Sequence, residues 1–193
     1  MRTAFVAFDE MTALDFVGAF DPLTRLDTMD LTPFPFEWDV CAPAETVTAT
    51  AGLRFEADSV GEPLDGYELV VVPGGAGTRT LRTDEHFLAW LETADADLLA
   101  SVCTGSLLLG AAGFLAGKTA TTHPGATEEL AAYCEVSSDR VVDEGDVVTA
   151  RGVASALDLG LYLVERLTDA ETRAAVAEQM DYPNGEGDGR SAP

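Results

Sequence analysis

The chain has 193 residues, 47% of them apolar, and its 34 acidic against 11 basic side chains give a formal charge of −23. That length suits one domain with a sizeable core, while so acidic a surface repels nucleic acid and anionic membranes, which are bound through basic patches. No run approaches the ~20 consecutive apolar residues of a bilayer span, and the three cysteines and two histidines lack the spacing of a disulfide framework or a zinc site.

The acids are spread along the whole chain instead of forming one block, and Lys118 is the single lysine among the basic residues. Solvation in high salt, which also screens self-repulsion, accounts for such a pattern better than a basic partner does. A halophilic setting is therefore expected. The N-terminal MRTAFVAFDE meets an acid too early for a secretion signal, so a cytoplasmic protein is expected, with no metal and no cofactor.

In chain order, Thr3–Phe8 reads as a strand and Leu14–Leu26 as a helix. Glu37–Ala42 is a second strand, and Thr46–Thr50 and Leu53–Ala57, separated by Ala-Gly, form a hairpin or an edge extension. Glu68–Val72 is a continuous apolar run, as a parallel strand buried on both faces should be; it ends in Pro73-Gly74-Gly75-Ala76-Gly77, where the backbone is freest. Thr83 is the expected N-cap of a helix carrying Phe87, Leu88 and Leu91 on one face. Leu98–Val102 is the next buried strand and Thr104–Leu115 the next helix; a short strand Thr119–Thr122 and a helix Ala126–Tyr133 follow. Arg140–Val142 and Asp146–Ala150 pair across Glu144-Gly145, and the helices Ala154–Leu167 and Ala170–Met180 close the pattern. One domain is expected over residues 1–182, and residues 183–193, PNGEGDGRSAP from Pro183, have the composition of a disordered tail.

Strands alternating with helices imply an α/β fold with a mostly parallel sheet covered on both faces. Ligands of such sheets bind at the carboxyl ends of the strands. That end gathers the loop after the first strand, the glycine loop after Val72, and Cys103 in SVCTGS. Most free cysteines only pack, but Cys103 stands between a buried strand and a helix, with Gly105 two positions on, as in a nucleophile elbow. The unpaired N–H groups of a helix start and its dipole are expected to lower the thiol pKa and to stabilise a developing anion. Asp15, an acid among apolar residues, is the candidate for setting the protonation state; in so acidic a chain a solvated carboxylate is the blander alternative.

These segments together, ALDFVG, VVVPGGAG, SVCTGSLLLGAAGFLAGKTATTHP and VTARGVASALDLGLYLVERL, resemble the ThiJ/PfpI superfamily over about residues 2–182. The resemblance implies a class I glutamine-amidotransferase-like fold: a three-layer α/β/α sandwich, flavodoxin-like, with a nucleophile elbow. Cys-Thr-Gly followed by ATTH is similar to the isonitrile hydratase-like branch and to the sensor domains of certain AraC-type regulators. It implies Cys103 as nucleophile, Asp15 as the carboxylate facing it, Thr104 as the residue after the nucleophile, and Gly74, Gly75 and Thr104 around the substrate, with backbone N–H groups of Gly75 and Thr104 as oxyanion donors. Protease-like members have histidine where Thr104 stands, so a Cys-His dyad of that kind is absent. Many redox-sensing and glyoxalase-like members have glutamate at the Asp15 position. Pro124 replaces a customary tryptophan, and Arg151 falls in a stretch that is often glycine-rich. His123 is expected to be packed or hydrogen-bonded near the site or an interface.

The leading expectation is a homodimeric enzyme that hydrates an isonitrile to an N-substituted formamide through a thioimidate on Cys103. The thiolate attacks while a protonated Asp15, raised by the neighbouring charge, gives the proton. The alternatives are a ligand or redox sensor using a low-pKa cysteine, and glyoxalase- or deglycase-like chemistry on α-oxoaldehydes.

Overall fold

The computed structural model describes residues 1–183. Its elements are β1 (Arg2–Val6), α1 (Ala13–Thr28), β2 (Glu37–Ala42), β3 (Thr46–Thr48), β4 (Arg54–Glu56), β5 (Ser59–Val60), β6 (Leu69–Val72), α2 (Thr78–Leu81), α3 (Glu85–Leu91), β7 (Leu98–Val102) and α4 (Gly105–Ala111). Then come β8 (Thr119–Ala120), a single 3₁₀ turn at Pro124–Ala126, α5 (Thr127–Leu130), β9 (Glu135–Val136), β10 (Val141–Asp143), β11 (Val147–Ala150), α6 (Ser155–Leu167) and α7 (Ala170–Gln179). A seven-stranded sheet in the order β10-β11-β7-β6-β1-β2-β5 is parallel except for β10. The tail expected beyond Pro183 lies outside the described residues.

The central strands β1, β6, β7 and β11 are apolar because helices cover both faces, and from Ala4 through Val6 and along Leu69–Val72 every side chain is buried. On one side α1, α6 and α7 pack together; on the other α4 packs between α2 and α5. Close approach of α1 and α6 depends on two glycines. A Cβ on Gly18 would stand 2.6 Å from that of Ala156, and one on Gly160 2.8 Å from the Pro22 ring.

Several local expectations are corrected. The cap of α3 is Asp84, not Thr83: its Oδ1 accepts from the N–H groups of His86 (2.9 Å) and Phe87 (3.1 Å), while the Thr83 hydroxyl donates to Thr80 O. A charged oxygen is the stronger acceptor there. The helix after Cys103 stops at Ala111, and Gly113 and Gly117 adopt φ of 85° and 74°, which break the helical path. The expected strand at Thr119–Thr122 covers only Thr119–Ala120 and pairs with β9 outside the main sheet. The helix expected over Ala126–Tyr133 is the 3₁₀ turn followed by one turn of α5. The short β5 at the sheet edge and the single turn α2 carry too few residues to show a period. Of the two alternatives for 46–57, the hairpin forms, with Ala51 and Gly52 both at positive φ in its turn.

Candidate active site

The loops leaving β1 and β6 are stitched together before either reaches the cysteine. Met11 and Gly75 form an isolated antiparallel bridge, Thr12 N–H donates to Gly74 O at 2.8 Å, and Gly77 N–H donates to Glu10 O at 3.2 Å. Gly75 sits at φ 144°, and a Cβ there would fall 2.4 Å from Glu10 O. No other residue fits. This stitching sets the first turn of α1, and with it Asp15, against the end of β6.

Cys103 has φ 56°, a left-handed conformation unusual for a side-chain-bearing residue, held between β7 and α4. Such a backbone costs roughly 1–2 kcal/mol and persists only where its surroundings impose it. Here they do: Cys103 N–H donates to Ala150 O at 2.9 Å, and its carbonyl accepts from the hydroxyls of Ser106 (3.1 Å) and Thr122 (3.0 Å). Gly105 is required because a Cβ would lie 2.3 Å from Val72 O and 2.8 Å from Pro73 O. A Cβ on Gly74 would meet Thr104 N at 2.6 Å, Asp15 Oδ2 at 2.7 Å and the Cys103 Cβ at 2.8 Å. The three elements therefore converge on Gly74.

Asp15 is wholly buried, which removes the solvated alternative. Its Oδ2 accepts from Gly74 N–H at 3.1 Å, and its Oδ1 is enclosed with no hydrogen-bond partner. The neighbouring polar group is the Cys103 thiol, which interacts with the carboxyl. Burial pushes the Asp15 carboxyl up to about 6, against the opposing pull of the thiol and of Gly74 N–H. Burial, together with the Asp15 charge, pushes the thiol up to about 12, and the Thr104 N–H beside it only partly offsets this. The expected depression of the Cys103 pKa is thus reversed: desolvation outweighs a helix start of one short element. At neutral pH the pair rests as thiol and carboxylate.

The expected oxyanion donors are also placed differently. Gly75 N–H donates to Thr104 Oγ1 at 2.9 Å, and that hydroxyl donates back to Gly75 O at 3.2 Å. Gly74 N–H is taken by Asp15. Neither glycine offers a free N–H; the Thr104 N–H remains beside the sulfur. A reader of sequence sees the glycines but not the hydroxyl that occupies one of them.

Above the thiol lies a cleft of about 430 Å³ lined by Thr12, Gly75, Ala76, Arg79, Cys103, Thr104, His123, Gly125 and Val153. Cys103 itself is 5% exposed, so a ligand reaches it through that cleft. His123 is not packed but exposed at the rim, its Nδ1 accepting from Gly125 N–H at 3.0 Å. Thr122, which anchors the Cys103 carbonyl, and Arg79, held by Glu129 at 2.9 Å, escaped the sequence reading. The TTHP segment was the one signal for the former.

A buried cysteine at a strand-to-helix elbow, with a buried carboxyl beside it at the carboxyl edge of a parallel sheet, places the chain among α/β proteins of this elbow architecture. Residues 1–166 match the DJ-1/PfpI family, and the chain belongs to it. It is 34% identical over 185 residues to an isonitrile hydratase of Pseudomonas putida, covering 94% of this chain and 78% of that protein. It is 35% identical over 115 residues to the Parkinson disease protein 7 homolog of Danio rerio, which covers 57% of this chain and 61% of the relative. A ThiJ/PfpI family protein from Pseudomonas syringae superposes with a TM-score of 0.86 at 30% identity, covering 98% of this chain and 78% of the other.

Proposed function

We propose that the protein hydrates an isonitrile to the N-substituted formamide, with Cys103 as nucleophile and Asp15 as the group that moves the proton. The observation that carries this reading is the pairing of a buried carboxyl, raised to about 6, with the only elbow thiol, in a chain similar to a protein named for that reaction. Because the resting pair is thiol and carboxylate, Asp15 acts first as base. It takes the thiol proton as sulfur attacks the terminal isonitrile carbon, then returns that proton to the same carbon, giving R–N=CH–S–Cys103. Water adds across the C=N bond, and the adduct R–NH–CH(OH)–S–Cys103 expels the thiol as R–NH–CHO leaves. Two modest additions replace one difficult one. The first addition builds charge on carbon, not on oxygen, so a site whose Gly74 and Gly75 N–H groups are already engaged suits it better than acyl transfer. Thr104, through its N–H beside the sulfur and its hydroxyl on Gly75, holds the glycine loop and the thiol together.

The raised thiol weighs against the low-pKa redox sensor, since oxidation of cysteine proceeds through the thiolate. A panel of isonitriles and α-oxoaldehydes, incubated in molar KCl and read by mass spectrometry, tests the assignment. Formamides from isonitriles, absent with Cys103→Ala, are expected; turnover confined to oxoaldehydes would transfer the site to glyoxalase-like chemistry.

The same reading places the protein in a salt-rich cytoplasm as a homodimer. Its support is the charge of −23 and the family resemblance; among the described residues no helix is long and apolar enough to cross a membrane. Thermal unfolding measured from low to molar KCl should shift upward as the Debye length falls to ~3 Å; a flat response removes the halophilic part.

A further inference from the structure

A second cavity, also of about 430 Å³, adjoins the cleft over Cys103, and the two share His123 and Val153 as walls. Its other lining comes from Pro124, Arg140, Arg151 and the segment Gly152–Ser155, where β11 turns into α6. The mechanism uses none of these groups.

Four features of this cavity share one polarity. Every lysine and arginine among the described residues has an ion-pair partner except Arg54 and Arg151. In a chain of charge −23, Arg151 is a guanidinium left unpaired in a concavity, where it can meet an anion. The N–H groups of Gly152, Val153 and Ala154 have no acceptor among the described residues, because the first bonds of this turn are donated by Ser155 and Ala156. These orphan donors open the 13-residue α6, whose dipole adds positive potential at the same end. Ser155 lines the same cavity and is 1% exposed, and its buried hydroxyl has no hydrogen-bond partner. The acid in the first turn of α6, Asp158, is already paired with Arg140 at 2.5 Å and accepts from the Tyr182 hydroxyl. Finally, His123 Nδ1 accepts from Gly125 N–H, so in its neutral form the ring presents Nε2–H, a donor, between the two cavities.

We propose that this cavity is a carboxylate subsite, and that the substrate is an anionic small molecule whose carboxylate sits against Arg151, the Gly152–Ala154 N–H groups and Ser155 while its reactive carbon reaches Cys103. One unpaired guanidinium matches one negative charge, and its planar fork matches the two oxygens of a carboxylate. On the isonitrile reading of the Cys103 site, the substrates are isocyano carboxylates and the products N-formyl amino carboxylates.

Two measurements test the subsite, and only the second depends on that reading. Calorimetry at one fixed ionic strength should detect pentanoate binding to the wild type, weakened about 10- to 100-fold by Arg151→Gln and partly restored by Arg151→Lys. Ser155→Ala should weaken pentanoate without lowering the melting temperature, because it deletes a buried hydroxyl that bonds nothing in the free protein. In turnover, ω-isocyano carboxylates should exceed their methyl esters in kcat/KM by at least about tenfold, chiefly through KM, and Arg151→Gln should bring the ratio near one. Pentanoate binding that ignores Arg151, or esters preferred by the wild type, would overturn the subsite. Arg151-dependent pentanoate binding without turnover of any isonitrile would keep the subsite and discard the reaction.

Discussion

Cys41 and Cys103 lie near the carboxyl ends of β2 and β7, both buried and both with thiols raised by desolvation. Acidity therefore does not tell them apart. Cys41 sits within a strand, its Sγ 3.8 Å from Asp39 O, with Tyr67 beside it donating to Asp39. Cys103 has left the strand at φ 56°, lies beside the Asp15 carboxyl across Gly74 and forms part of a cleft wall. On the proposed mechanism, a resting thiol serves as a nucleophile where a base stands beside it and a cleft leads to it. Only one of the two sites has both.

The sharpest break is substitution of each thiol. Cys103→Ala should abolish formamide production, a loss of about 10⁴-fold or more, whereas Cys41→Ala should keep the wild-type rate and lose some stability to the cavity. Assay of both variants beside wild type decides it; equal losses would mean that no special role attaches to the elbow. Next in size is Asp15→Asn, which preserves an acceptor for Gly74 N–H but cannot take a proton. General-base contributions of ~10²–10⁴-fold set the expected fall in kcat/KM. A variant as fast as wild type would leave Cys103 as isolated as Cys41.

Much of this contrast was legible before any coordinates. The strand-Cys-Thr-Gly-helix sequence required the elbow, because Gly105 is the one residue tolerated beside Val72 O. Asp15 was legible as an acid among apolar neighbours. What was hidden is long-range. The register that bridges Met11 to Gly75 decides where the glycine N–H groups point, and the Thr104 hydroxyl then occupies one of them. The helix-start donors that argue for a lowered thiol pKa are visible in sequence, whereas the desolvation that raises it is not. The role of Thr122 has no local signature, because its hydroxyl's partner lies 19 residues away.

The protonation order provides a smaller, graded effect. With Asp15 needed as carboxylate and raised to about 6, kcat/KM should fall about tenfold per pH unit well below 6 and level off above it. A low-pKa Cys103, ionised across the whole window and assisted by a protonated Asp15, predicts the opposite limb, with activity lost as pH rises through 6. A pH profile from 4.5 to 8.5 at constant ionic strength, on a substrate whose own ionisation lies outside that window, separates the two. Cys41 contributes no limb in either case.

The smallest effect is on stability, and it separates the buried thiol from the buried carboxyl. A neutral thiol at Cys41 is buried without charge, whereas Asp15 at neutral pH is buried ionised. Its folded pKa of about 6 lies above the ordinary 3.8, so between those values the folded state holds more protons than the unfolded one. The stability linked to Asp15 is therefore fully present below about pH 4 and is lost as pH rises through 6. The difference corresponds to at most about 3 kcal/mol, which Asp15→Asn should not pay because its amide never ionises. The variant should accordingly gain on wild type as pH rises from 4 to 7, by several degrees in Tm for a domain of this size. Subtracting the two proteins at each pH removes the repulsion among the many surface acids, which both share. A gap that stays constant from pH 4 to 7 would mean that Asp15 titrates as an ordinary carboxyl, and would return Cys103 to the company of Cys41.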